Sequence, residues 1–131
     1  MSQFTKCSPL TECGVNLWEN TEQIRYEIGV KGSGVYLTVA EGFKGNLASI
    51  PKFLWRWFPK RAAWDLPSHI HDQGYSCKGL PRSIYDREWR TGTFIRNEYS
   101  SDLYDVKLSA WKIWAAWASI RMFGWIYWRR A

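Results

Sequence analysis

A chain of 131 residues suits one domain that buries roughly two-thirds of its unfolded surface, so folding requires no disulfide or metal staple. Its formal charge of +6 favours partners that carry phosphate, whether lipid headgroups or nucleic acid. Aromatic residues make up 18%, ten of them Trp, which calls for a rigid core, a sticky surface or both. Three cysteines make no disulfide framework and are expected as thiols in a reducing compartment. The opening "MSQFTKCSPLTEC" has no apolar core, so no signal peptide is expected. No run of 18 uncharged apolar residues is present, which argues against a conventional membrane span.

Residues 1–20 are polar and carry weak signals, and 21–46 read as a hairpin and loop. Tyr26 to Val30 and Val35 to Val39 alternate in β-branched and aromatic residues around the turn "KGSG", the pattern of a β-hairpin. Next, "GNLASIPKFLWRWFPK" allows a short helix from about Lys52 to Trp57, capped near Ser49, opened by Pro51 and stopped by Pro59. Residues 52–61 carry four cations and no acid. There Trp55, Arg56 and Trp57 suit an interfacial anchor or, equally, a core helix with solvated lysines.

A longer helix is predicted from Asp65 as N-cap, with Pro67 in its first turn, to about Cys77, where "KGLPRS" breaks it. Gly74 inside it costs about 1 kcal/mol relative to Ala and asks for an explanation. A second helix from about Arg82 to Arg96 turns Ile84, Trp89 and Phe94 inward. The last helix is predicted from about Leu103 to Trp128. At about 100° per residue, Trp111, Trp114, Trp117, Trp125 and Trp128 share an arc of roughly 120° with Arg121. That spacing lets Arg121 lie against indole faces. The arc is core, a membrane-interface face or a partner-protein groove. Residues 106–131 hold no acid. The whole chain reads as one domain, 1–131, in an α+β fold: a hairpin, then three main helices whose central antiparallel pair spans part of 47–100, with a Trp-rich basic end at 101–131.

Chemistry concentrates in "SHIHDQGYSC", residues 68–77, which holds both histidines. Four residues apart on a helix, His71 and Tyr75 share a face, whereas Asp72 points about 100° away. An orienting carboxylate for His71 therefore comes from elsewhere, and Asp86 on the returning helix is placed to supply it. A neutral imidazole with a carboxylate fixing its tautomer can take a proton from water. Asp72 is left for another task, a hard cation among the options. The bland alternatives are a structural His71 and a Tyr75–Asp86 bond that only fixes the helix pair. His69 and His71, two apart, face opposite sides and make a poor joint metal site.

Two resemblances meet on these residues. "GFKGNLASIPKFLWRWFP", "RAAWDLPSHIHDQGY" and "PRSIYDREW" resemble a phage and prophage family of unknown function, whose pattern runs GF-x-TDLASIP, AA-x-x-HD-x-x-Y and R-x-x-AD-x-x-F. This likeness covers roughly residues 36–128 and implies a bacteriophage origin. The HD-x-x-Y helix with an antiparallel Asp-bearing partner is in turn similar to the secretory phospholipase A(2) superfamily. That likeness implies His71 as general base, Asp86 as its orienting partner, Tyr75 as a hydrogen-bond partner of Asp86, and Asp72 as a calcium ligand. The loop "EGFKGN", with Gly42 and Gly45, stands where those enzymes supply carbonyls to calcium. Here Gly45 and Asn46 replace the TD of the phage pattern, and the Y-x-G-x-G loop pattern of the phospholipases is missing.

These features give competing expectations. One is a phage-encoded, calcium-assisted lipid-ester hydrolase or membrane-active protein used at entry or lysis. The other is a non-catalytic virion, tail or host-factor-binding protein that docks through Trp114, Trp117, Arg121 and Trp125. Either works in the infected bacterial host cytoplasm or in the virion, peripheral to a membrane in the first case. Nucleic acid is the weakest of the partners, since no helix-turn-helix, zinc or single-strand motif is recognisable.

Overall fold

The computed structural model describes residues 2–14, 17–29, 32–45, 54, 56, 63–98 and 108–130. Among these residues six strands precede three helices, an α+β architecture. The strands are β1 (Gln3–Lys6), β2 (Leu10–Gly14), β3 (Leu17–Asn20), β4 (Ile24–Glu27), β5 (Tyr36–Val39) and β6 (Lys44–Gly45). They form two antiparallel three-stranded sheets, ordered β1-β4-β5 and β2-β3-β6. The predicted hairpin is β4–β5, registered Ile24 to Val39 and Tyr26 to Leu37. The sheets around it are an addition to the sequence expectation: three strands lie in the polar first 20 residues.

The helices are α1 (Asp65–Cys77), α2 (Arg82–Asn97) and α3 (Ala110–Arg130). Asp65 is the first helical residue of α1 rather than its cap, the cap position being Trp64. At the other end Lys78, in a left-handed conformation, donates its N–H to the carbonyl of Gly74 and closes the helix. Helix α3 starts later than the sequence suggested. Asn97 donates to the Leu108 carbonyl at 2.8 Å and accepts the Leu108 N–H at 2.9 Å, so neither group is free for a helical ladder. The predicted helix over 52–57 falls largely outside the described residues.

Contacts run from Pro67 with Gly92, through Ser68 with Trp89 and His71 with Asp86, to Gly74 with Tyr85, so α1 and α2 are antiparallel. The chain then returns, because Asn97 holds Leu108, Phe94 meets Trp114 and Asp86 meets Arg121. One apolar cluster joins the β4–β5 face (Ile24, Tyr26, Leu37, Val39) to Leu66, Ile70, Tyr75 and Tyr85. A second joins Trp64 and Trp89 to Ile113, Ala116 and Ile120 of α3. The α1–α2 seam is thus covered by sheet on one side and by α3 on the other.

Candidate active site: a buried carboxylate shared by His71, Tyr75 and two arginines

Helical spacing puts His71 and Tyr75 one turn apart on α1, their rings 4.1 Å apart between centroids. Opposite them on α2 lies Asp86, with no solvent exposure. His71 Nε2 sits 2.6 Å from Asp86 Oδ1, and the Tyr75 hydroxyl donates to the same oxygen at 2.6 Å. The three residues named as catalytic from sequence are therefore brought together.

The second carboxylate oxygen has partners the sequence reading did not assign. Arg121 of α3 donates from Nη1 to Asp86 Oδ2 at 2.7 Å, and Arg82 Nη1 lies 3.4 Å from it. Arg82 also donates to the carbonyls of Ile120 and Arg121 at 3.4 and 3.2 Å, pinning α2 to α3. Arg121 was expected against indoles in the Trp arc; instead it reaches inward to Asp86. The guanidinium over Trp114 and Trp117 is that of Arg90, 4.3 and 4.5 Å from the ring centroids.

Burial by itself raises the Asp86 carboxyl, but hydrogen bonds from His71, Tyr75 and Arg121 outweigh it and hold the group below the usual carboxylate range. Tyr75 moves the opposite way. Burial, and then its bond to Asp86, push the phenol well above its ordinary value, so it stays a donor. With Nε2 facing the carboxylate, Nδ1 is the ring nitrogen turned away from Asp86. His71 is 4% exposed. It shares the wall of a cavity of about 10 Å³ with Phe4, Tyr26, Leu37, Ile70 and Glu88, room for about one water molecule. Glu88 is itself bonded by Ser2, Tyr26 and Arg87 at 2.6, 3.0 and 2.8 Å.

His69 faces the other way, as the two-residue spacing required. Its Nε2 lies 3.0 Å from Asn20 Oδ1, and its ring packs edge-on against Phe43. Burial lowers its pKa to about 4, partly offset by the Phe43 backbone. Asn20 was missed in the sequence, although its amide also donates to the carbonyls of Glu22 and Ala40 and so fixes the loop before β6.

Of the residues assigned to a metal, Asp72 and Gly45 meet. A Cβ on Gly45 would stand 2.8 Å from Asp72 Oδ2 and 3.2 Å from His69 Nδ1, so only glycine lets the strand approach this carboxylate so closely. Gly42 lies apart, in a turn open to solvent at φ 84°. Among the described residues no group of three or more His, Cys, Asp or Glu side chains gathers. Of the basic-aromatic stretch, Arg56 is exposed, while Trp55 and Trp57 lie outside the described residues. On α3, Trp114 and Trp125 are exposed, and Trp117 is half-buried beneath Arg90.

Residues 18–120 match the family model described as a protein of unknown function, DUF1353. The chain belongs to the DUF1353 family. Its match runs from β3 through about the first half of α3 and contains His71, Asp72, Tyr75, Arg82 and Asp86. Arg121 stands one residue beyond it, and Trp125 and Trp128 further on. No curated protein and no solved structure matches this DUF1353 chain.

Proposed function

We propose that this DUF1353 protein is a phospholipase-like hydrolase of lipid esters, encoded by a bacteriophage and used at entry into or lysis of the host. The observation that carries the proposal is the approach of His71 Nε2 and the Tyr75 hydroxyl to one oxygen of a fully buried carboxylate. Such a carboxylate fixes the Nε2–H tautomer and leaves the lone pair on Nδ1. In the reaction, Nδ1 takes a proton from water as that water's oxygen bonds to the ester carbonyl carbon. Asp86 stabilises the imidazolium that forms. The proton then passes to the alcohol oxygen as the acyl–oxygen bond breaks, leaving a carboxylic acid and an alcohol, with His71 neutral again. Tyr75, Arg82 and Arg121 keep Asp86 ionised and oriented throughout.

Asp72, whose carboxylate lies against the strand at Gly45, is one oxygen donor of the kind a hard cation takes, with too few charged ligands around it for tight binding. Calcium would be held there by Asp72 and neighbouring backbone carbonyls, and when bound would supply positive charge to a developing oxyanion. Calorimetry on wild type and Asp72→Asn, with a chelator control, tests it: calcium binding that is lost in the variant supports the site. For the hydrolase itself, His71→Ala is compared with wild type on a soluble ester and on phospholipid. Loss of hydrolysis with an unchanged circular dichroism spectrum is expected, and activity persisting in the folded variant overturns the proposal.

A second reading has its own support. His71 is almost fully buried, the cavity beside it is too small for an acyl chain, and α3 holds Arg121 on Asp86. These fit a non-catalytic virion or host-factor-binding protein in which the polar cluster only locks three helices. That reading expects a stoichiometric protein complex and no hydrolysis under any calcium concentration.

A further inference from the structure

The outer face of α3 is apolar and, among the described residues, covered only in part, where Phe94 and Arg90 touch Trp114. Trp111 is 65% exposed, Met122 63%, Trp114 49% and Trp125 47%. On the helical wheel the four fall within roughly 80° of one another, while Ile113, Ala116 and Ile120 fill the core-facing side. Each exposed indole carries a cation: Lys112 Nζ lies 5.8 Å from Trp111, Arg90 4.3 Å from Trp114 and Arg129 5.8 Å from Trp125. No acid occurs from residue 106 to 131.

We infer that this face is a docking surface for a bilayer bearing acidic headgroups, with α3 lying in the plane of the interface. Charge complementarity selects the occupant. A second copy would set Arg90, Lys112 and Arg129 against their own equivalents, which like-charge repulsion opposes. An acidic bilayer offers phosphate to the cations and the glycerol zone to the indoles, and both residue types settle at that depth. Crossing is not at issue, because no helix among the described residues is long and apolar enough to span a membrane. The inner face is already used by Arg121 and by Trp128, whose ring meets Tyr75 edge-on at 5.1 Å. Docking through the outer face therefore leaves the packing around Asp86 in place. The inference does not depend on His71 being a base.

Sedimentation with vesicles tests it, using phosphatidylcholine alone and a mixture with about one-third phosphatidylglycerol. Wild type and His71→Ala are expected to bind the mixed vesicles alike and the neutral ones weakly, with binding falling as salt rises. Lys112→Gln with Arg129→Gln lowers partitioning by about thirtyfold. Trp111→Ser with Trp125→Ser, both on the solvent side, lowers it by about tenfold or more. Equal binding to both vesicle types, or no binding by folded protein, overturns the inference. So does a dimer in analytical ultracentrifugation that the Trp double variant abolishes, because a second copy then owns the face. Vesicle binding without hydrolysis of any ester retires the hydrolase proposal alone; soluble-ester hydrolysis without vesicle binding retires this one alone.

Discussion

Replacing Gly74 by Ala is expected to destabilise the protein, although helix propensity says the opposite. An alanine in a helix interior is worth about 1 kcal/mol over glycine. Here, however, a Cβ on Gly74 would collide with both Cδ1 and Cε1 of Tyr85. Carbon atoms rest about 3.5–4.0 Å apart, so the ring or the helix has to give way by roughly 1 Å. Tyr85 has little room to yield. It is buried, its hydroxyl accepts the Leu80 N–H at 3.0 Å, and its ring lies against Trp128. Overpacking of this kind costs about 1–3 kcal/mol. Parting α1 from α2 also stretches the 2.6 Å contacts that Asp86 makes with His71 and Tyr75. The net expectation is a loss of about 1–2 kcal/mol, seen in thermal unfolding as a fall in Tm of roughly 3–6 °C. In a Tyr85→Leu background the same change becomes neutral or stabilising, because the ring edge is gone. A rise in Tm on Gly74→Ala in the otherwise wild-type protein would refute the close-packing argument.

Acid acts on a different histidine. The pKa of His69 falls from the usual 6.5 to about 4 on folding, so between those values the unfolded chain binds the extra proton. Its contribution, up to about 3 kcal/mol, is therefore present above pH 6.5 and lost as pH falls toward 4; urea titrations at stepped pH show this slope in wild type and not in His69→Gln. Tyr75→Phe removes a donor from a buried carboxylate and costs about 1.5–3 kcal/mol by urea unfolding, an effect that vanishes if Asp86 is already Asn. Arg121→Gln withdraws a charge 2.7 Å from Asp86 Oδ2, so the carboxyl pKa, followed by carbon NMR, moves up from its depressed value. Since a depressed carboxyl stabilises above its unfolded pKa and loses that stability as pH falls through the folded one, the variant has less stability at neutral pH to lose. An unmoved carboxyl resonance would remove Arg121 from the site.

The helix pair was legible because its signals are local. Asp65 and Pro67 mark a start, "KGLP" a break, and a turn so short returns α2 antiparallel, which sets Asp86 opposite His71 and Tyr75. Strands β1 to β3 were not legible. In β2 only Leu10 is even half-buried, so alternation in hydrophobicity has nothing to report, and pairing with β3 and β1's seat on β4 are decided by tertiary contact. Arg121 was legible as a residue of the Trp arc but not in its direction. Its Cα sits within the arc, between Trp128 and Trp114, and a long side chain there can follow either the indoles outward or a buried anion inward. A fully buried carboxylate wins that choice, since leaving it short of partners is far costlier than forgoing an exposed cation–π contact.

One run of tryptophans does two different jobs on the same grounds. Trp117 and Trp128 lie on the core side of the arc, and Trp128 covers Tyr75 while Arg90 roofs Trp117. Trp111, Trp114 and Trp125 lie further round and are left in water. The inner indole keeps water from the Tyr75–Asp86 bond and so keeps the local dielectric low. Under those conditions the bonds from Tyr75, His71 and Arg121 to one carboxylate are at their strongest. The electrostatics of Asp86 therefore belong to all three helices, not to the HD-x-x-Y motif alone. A chain that kept His71, Tyr75 and Asp86 but lost the end of α3 would retain the motif and wet the carboxylate.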